Sequence, residues 1–154
     1  MRSRRISRCR HLRTIARAPI CAVKCRNIKP QISTSGAKIC IVDDDPPVLR
    51  SLKELLASDD LDAETFDDPE KFLDYARDHV IRLAVLDVWI PTHSGIEVQE
   101  RLHHLSPETK VIIMTGAGEP GTRALALDGG AFAFLSKPLD DEAFLTAVRG
   151  ALVE

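Results

Sequence analysis

Residues 38–47, Lys38-Ile39-Cys40-Ile41-Val42-Asp43-Asp44-Asp45-Pro46-Pro47, decide the fold class. Ile39 to Val42 is a short apolar run of strand type. It is unbroken rather than alternating, as expected for a strand covered by helices on both faces. The run stops at three carboxylates, and Pro46-Pro47 suits the first turn of a helix, where a missing N–H costs nothing. Val48, Leu49, Leu52, Leu55 and Leu56 then recur at helical spacing. The stretch reads as strand, acidic turn, helix.

Outward from it the same unit repeats. Leu83 to Leu86, Val111 to Met114 and Phe132 to Leu135 are further strand-type runs, and a more charged one, Asp62 to Phe66, suits a sheet edge. Asp68-Pro69, a cap followed by proline, opens a second helix carrying Phe72, Leu73 and Ala76. Ile96, Val98 and Leu102 mark a third helix. Ala124 to Leu127 marks a weaker fourth, ended by Gly129-Gly130, and Phe144, Leu145, Val148 and Leu152 mark a fifth. Five strands alternating with five helices predict an α/β domain with a parallel sheet.

In open parallel sheets the functional rim is the carboxyl end of the strands. Asp43, Asp44 and Asp45 follow the first run, Asp87 follows Leu86, Thr115 follows Met114, and Ser136 and Lys137-Pro138 follow Leu135. Adjacent strands lie about 4.8 Å apart, so carboxylates ending them repel strongly in a partly desolvated cleft. One lysine cannot neutralise them. A hard divalent cation with oxygen ligands can, and Mg²⁺ suits one or two carboxylates plus water and phosphate oxygens. A carboxylate so shielded can attack phosphorus, with Thr115 donating a hydroxyl and Lys137 supplying positive charge. For Asp45 a helix N-cap is the better reading.

The chain of 154 residues fits one domain, and a multidomain enzyme is not expected. Its net charge of −2 hides a division. Residues 1–37 carry ten Arg and Lys and no acid; residues 38–154 hold the other 11 basic residues and all 23 acidic ones, a net −12. The boundary falls near Ala37, after the polar stretch Gln31 to Gly36. The basic leader reads as a disordered tail, a targeting peptide, or the product of an upstream start, with tail and start-site artefact preferred. Cys9, Cys21 and Cys25 lie in the leader without partners that complete a zinc set, and Cys40 reads as a buried free thiol. Arg17 and Pro19 interrupt the best secretory segment, Ile15 to Val23, and no run reaches membrane-spanning length, so a cytoplasmic body is expected. Asp59-Asp60 and Asp67-Asp68 read as solvated loop charges and caps, and His103-His104 as a surface pair. Neither that pair nor His93 is given a metal role.

The ordered set Ile41-Val42-Asp43-Asp44-Asp45, Leu86-Asp87 with Pro91 and Ser94-Gly95, Met114-Thr115-Gly116, and Phe134-Leu135-Ser136-Lys137-Pro138 resembles the receiver domain of bacterial two-component response regulators, especially receivers of the nitrogen-fixation regulator type. The likeness covers residue 38 to the end. It implies a doubly wound sheet in the flavodoxin-like order 2-1-3-4-5 with five helices. It also implies Asp87 as phosphoacceptor, Asp43, Asp44, Asp87 and the backbone carbonyl of Trp89 as Mg²⁺ ligands, Lys137 on the phosphate, Thr115 and Phe134 as the switch pair, and a cis peptide before Pro138. The phosphoryl donor would be a sensor histidine kinase or a phosphotransfer domain. With about one helix of chain after Lys137, the expectation is a stand-alone receiver without a DNA-binding domain. It would signal through a downstream protein, admit a homodimer, and catalyse only its own phosphorylation and dephosphorylation. Trp89 stands where the family often has Met, Leu, Arg or Asn, and Thr92-His93 replaces the commoner Gly-Met.

Two rival readings exist. Asp43-x-Asp45 after a strand also resembles the nucleophile motif of haloacid-dehalogenase-like Mg²⁺-dependent phosphatases, though this leaves Asp87 without a role. The other is a receiver-like interaction module that works without phosphorylation.

Overall fold

The computed structural model describes residues 38–116 and 120–153. The basic leader, with Cys9, Cys21 and Cys25, lies outside the described residues. Strands and helices alternate without exception: β1 (Lys38–Val42), α1 (Pro46–Ser58), β2 (Ala63–Phe66), α2 (Pro69–Asp78), β3 (Ile81–Asp87), α3 (Gly95–Leu105), β4 (Lys110–Thr115), α4 (Thr122–Asp128), β5 (Ala133–Ser136) and α5 (Asp141–Val153). All strand pairs are parallel and the order is β2-β1-β3-β4-β5. The expected doubly wound sheet with five helices is what forms, and the charged strand β2 lies at an edge.

Each strand splits its side chains between two cores, because successive Cβ atoms point to opposite faces. Ile39, Ile41, Leu83, Val85, Ile112 and Met114 face Leu49, Leu52 and Leu56 of α1 and Phe144, Leu145 and Val148 of α5. Cys40, Val42, Ala84, Leu86, Val111 and Ile113 face Phe72 and Leu73 of α2, Val98 and Leu102 of α3, and Ala126 of α4. Two faces both needing apolar cover is why the strand runs carry no polar alternation.

Local chemistry sets the helix ends. Asp68 caps α2, its Oδ1 accepting from Glu70 N at 2.8 Å, with Pro69 at the first helical position. Asp45 occupies the N-cap position of α1 but makes no side-chain capping bond, which corrects the capping role expected of it. Its amide instead donates to Asp43 Oδ1 at 2.9 Å, so the turn serves Asp43. Ser94 and Glu97 form a capping box at the start of α3. Asp59 is not simply a solvated loop charge: Arg149 of α5 grips it through two hydrogen bonds of 2.7 and 2.8 Å. Asp67 pairs with Lys71 at 3.0 Å one helical turn on, and His103 and His104 are exposed. The fifth strand begins one residue later than the apolar run suggested. Phe132 precedes it and its amide donates to Val111 O at 2.7 Å.

Cys40 is fully buried in the sheet, and burial, with the Glu64 charge adding to it, pushes its thiol up to about 12. A raised folded value means that its contribution to stability is complete below the unfolded thiol value of about 8.5 and is lost as pH climbs toward 12. The expected result is that iodoacetamide at pH ~8.5 leaves the Cys40 peptide unmodified in native protein and alkylates it in denaturant, read by peptide mass.

Candidate functional site

The parallel register brings four strand ends to one rim. Asp43 follows β1, its amide held by Phe66 O at 3.2 Å. Asp87 ends β3 opposite Met114, and Val88 N donates to Met114 O at 2.8 Å. Thr115 ends β4 opposite Ser136, and its carbonyl accepts from Lys137 N at 2.7 Å. The Lys137–Pro138 peptide is cis, as the resemblance implied.

The side chains converge. Asp43 is 1% exposed, Asp87 5% and Thr115 1%, while Asp44 faces solvent. Oxygens of Asp43, Asp44 and Asp87 lie within 4.8 Å of one another. Lys137 Nζ reaches Asp43 Oδ2 at 2.7 Å and Asp87 Oδ1 at 3.3 Å. The second approach is an ion contact without hydrogen-bond alignment, so Asp87 Oδ1 is a buried oxygen with no donor. Burial raises the Asp87 carboxyl above the ordinary carboxylate range; Lys137 pulls it down, and Asp43 and Asp44 push it up. Burial works to lower Lys137, but its hydrogen bond to Asp43 and the charges of Asp43 and Asp87 outweigh that and leave the ammonium above its usual value.

Three carboxylates against one ammonium leave a net negative charge in a mostly buried cleft. The donor set is all oxygen, and a divalent cation of Mg²⁺ type fits it. Among the described residues, Asp43, Asp44 and Asp87 form a cluster of side chains able to hold one. Trp89 lies on the rim two residues past Asp87, the residue 51% exposed and its backbone bridged to Ser94. Phe134 on β5 is half-buried, with the guanidinium carbon of Arg123 5.8 Å from its ring centroid.

Two features of the site were given no role of their own from the sequence, although Gly95 stands in the Ser94-Gly95 pair of the receiver-like pattern. Gly95 packs so tightly that a Cβ there would stand 2.2 Å from the Asp87 carbonyl oxygen. Glu70 at the start of α2 receives both terminal nitrogens of Arg101 and lies 3.5 Å from His93 Nε2, tying the loop after Asp87 to two helices. The hydrogen bond from Arg101 holds the Glu70 carboxyl below the usual range. The Ser94-x-x-Glu97 spacing was a readable sign of where α3 begins, whereas the Glu70 partnership links residues 31 apart and left none.

Residues 39–149 match the family model described as the response regulator receiver domain. This chain is a response regulator receiver. It is 33% identical over 128 residues to the response regulator protein TodT of Pseudomonas putida, a match covering 83% of this chain and 56% of that protein. The chain thus spans about half the length of the curated relatives it matches. Among solved structures, a CheY-like response regulator receiver domain protein from Methanospirillum hungatei superposes with TM-score 0.72 at 30% identity, covering 77% of this chain and 94% of that one. A beryllofluoride-activated NtrC4 receiver domain dimer gives TM-score 0.72 at 29% identity, covering 75% and 95%. Receiver membership removes the phosphatase alternative and places the chain in a signalling family rather than among conventional enzymes.

Proposed function

We propose that this receiver accepts a phosphoryl group on Asp87 from a sensor histidine kinase or a phosphotransfer domain. The observation that carries the reading is the buried Asp87 Oδ1, which has no donor and is set between Asp43, Asp44 and the Lys137 ammonium. In the transfer, a carboxylate oxygen of Asp87 forms the O–P bond as the P–N bond to the donor imidazole breaks. The imidazole nitrogen keeps the bonding pair and takes up a proton. Charge then spreads over the phosphoryl oxygens, where Lys137 and the Thr115 hydroxyl would meet it. Asp43, Asp44, Asp87 and the Trp89 carbonyl would hold Mg²⁺, which when bound supplies the positive charge that lets one anion approach another. The carboxylate lost from the charge balance at Asp87 frees Lys137 to turn toward the new phosphoryl oxygens.

Output follows from the far side of the rim. Thr115 and Phe134 reorient together and alter the surface of α4, β5 and α5, which contacts a downstream protein. A homodimer of this chain is a compatible form of that output, and the NtrC4 receiver dimer is a relative in which an activated receiver pairs. The same proposal takes residues 38–154 as the receiver and 1–37 as a leader outside its chemistry, acting in the cytoplasm. Among the described residues no helix is long and apolar enough to cross a membrane. The native mass of the protein tests the stand-alone expectation, because the match spans only 56% and 52% of two of those relatives. Incubation with acetyl phosphate and Mg²⁺, followed by intact mass, tests the acceptor; incorporation that maps to a residue other than Asp87 would sink the assignment.

Arg123 offers a test of the switch. An exposed cation–π contact is worth about 0.5–1 kcal/mol, so its loss in Arg123→Ala is expected to raise the minor orientation of Phe134 about two- to fivefold in the unphosphorylated protein. Fluorine NMR with a fluorinated Phe134 reads the two populations, and unchanged populations would remove Arg123 from the switch.

A further inference from the structure

The loop between β3 and α3, residues 88–94, carries Trp89, whose carbonyl the proposed function gives to Mg²⁺. Its two ends are fixed by backbone: Val88 N donates to Met114 O at 2.8 Å and Gly95 N to Val88 O at 3.0 Å. The arch between them has little support of its own. Pro91 and Thr92 are exposed, and the bridge between Trp89 and Ser94 closes the arch on itself without tying it to another element. Among the described residues, the one side chain of 88–93 with a polar partner in another element is that of His93.

That partner is firmly placed. His93 Nε2 lies 3.5 Å from Glu70 Oε1 at the start of α2. A carboxylate can only accept, so the ring proton belongs on Nε2. Nδ1 is buried without a hydrogen-bond partner, which leaves the Glu70 oxygen as the polar group that orients the ring. Glu70 is itself held on two sides. Its amide donates to the Asp68 cap at 2.8 Å, and its carboxylate takes both terminal nitrogens of Arg101 on α3, the second at 3.0 Å. A forked guanidinium fixes the direction of a carboxylate as a single ammonium does not. The helices behind this pair share one buried core through Phe72, Leu73, Val98 and Leu102. We propose that Glu70 is a positioning residue of the acceptor site: buttressed by Arg101, it holds His93 and, through the neighbouring bridge of Ser94 to Trp89, presets the Trp89 carbonyl for Mg²⁺. Groups beyond the ligands of a metal commonly set its affinity by fixing how those ligands point. The inference rests on the assignment of the Trp89 carbonyl to the cation.

Trp89 is the only tryptophan in the chain, so its fluorescence follows the loop in a titration of the full chain with Mg²⁺ alone, no phosphoryl donor being present. Glu70→Ala and His93→Ala are each expected to raise the Mg²⁺ dissociation constant about threefold, the scale of one exposed ion contact. His93→Ala changes only a loop side chain and leaves the pair of Glu70 with Arg101 in place. The double variant should again rise about threefold rather than by the product of the two effects, because both substitutions break the same path. His93→Gln should keep the parental value, since its amide nitrogen reaches about as far as Nε2 and donates to the same carboxylate. A general loss of stability would not be rescued by that one replacement. Unchanged dissociation constants in both alanine variants, or effects that multiply in the double variant, would overturn the proposal and leave the acceptor assignment standing. A parent protein with no saturable Mg²⁺ binding, by fluorescence or by calorimetry, would instead strike the cation site itself and this inference with it.

Discussion

Asp87→Asn is expected to take up no phosphoryl group from acetyl phosphate and Mg²⁺, and yet to melt higher than the parent protein when Mg²⁺ is absent. The first half follows from chemistry: an amide has no anionic oxygen to attack phosphorus. The second follows from burial. Desolvation raises the Asp87 carboxyl in the folded protein, so the folded state binds its proton more tightly than the unfolded chain does. A group shifted this way contributes its full stability below the unfolded carboxyl value of about 3.9 and loses it as pH rises through the raised folded value. At neutral pH the ionised Asp87 therefore works against folding, despite Lys137 at 3.3 Å. Asn keeps the shape and removes the charge, for a gain of ~1 kcal/mol, or ~3 °C in melting temperature for a domain of this size. Added Mg²⁺ should reverse the order, since the parent gains a ligand that the variant binds less well. A parent that melts higher than Asp87→Asn without Mg²⁺ would show that Lys137 outweighs burial.

Gly95→Ala is expected to damage the same site without touching an ionisable group. A methyl there would sit 2.2 Å from Asp87 O, 2.9 Å from its carbonyl carbon and 3.1 Å from Val88 Cα, all backbone atoms. None of them is the free end of a flexible side chain, so the clash can be relieved only by moving the first turn of α3 away from β3. That turn is held by Gly95 N donating to Val88 O at 3.0 Å and by the Ser94–Glu97 capping box. Overpacking against backbone at such a junction costs ~3 kcal/mol, enough to lower the melting temperature by ~10 °C. The displaced loop carries Trp89 and borders Asp87, so phosphorylation should slow as well. Thermal melts and acetyl phosphate kinetics read the two effects. A variant with parental stability would mean that the strand-to-helix junction yields more easily than its hydrogen bonds indicate.

How much of this was legible in the sequence depended on whether each cause was local. Strands covered on both faces announce themselves as unbroken apolar runs, so β1, β3 and β4 could be read directly. The convergence of the candidate site residues was legible because a parallel sheet sends all its carboxyl ends to one rim, placing Asp43, Asp87, Thr115 and Lys137 together from their positions after those runs. Asp45 was misread because a carboxylate before a helix resembles a cap; the turn instead turned its amide toward Asp43 Oδ1. Asp59 looked like a loose charge because its partner, Arg149, is 90 residues away. Gly95 depends on what packs against it, and no local pattern distinguishes a glycine in an open turn from one pressed against a carbonyl.

The fourth helix is anchored unlike the others. Ala126 is its one buried residue, Leu125 and Leu127 face outward, and among the described residues a single side-chain hydrogen bond, from Gln99, joins its backbone to α3. A helix with so little buried surface can detach without the rest of the sheet unfolding, and its amides should exchange with deuterium through local openings that ignore mild denaturant. Amides of β3 and β4 should exchange only when the whole domain opens. Exchange measured across a denaturant series would then show two regimes in one chain, a rigid floor and a loosely hinged panel, with the proposed signalling surface built on the panel.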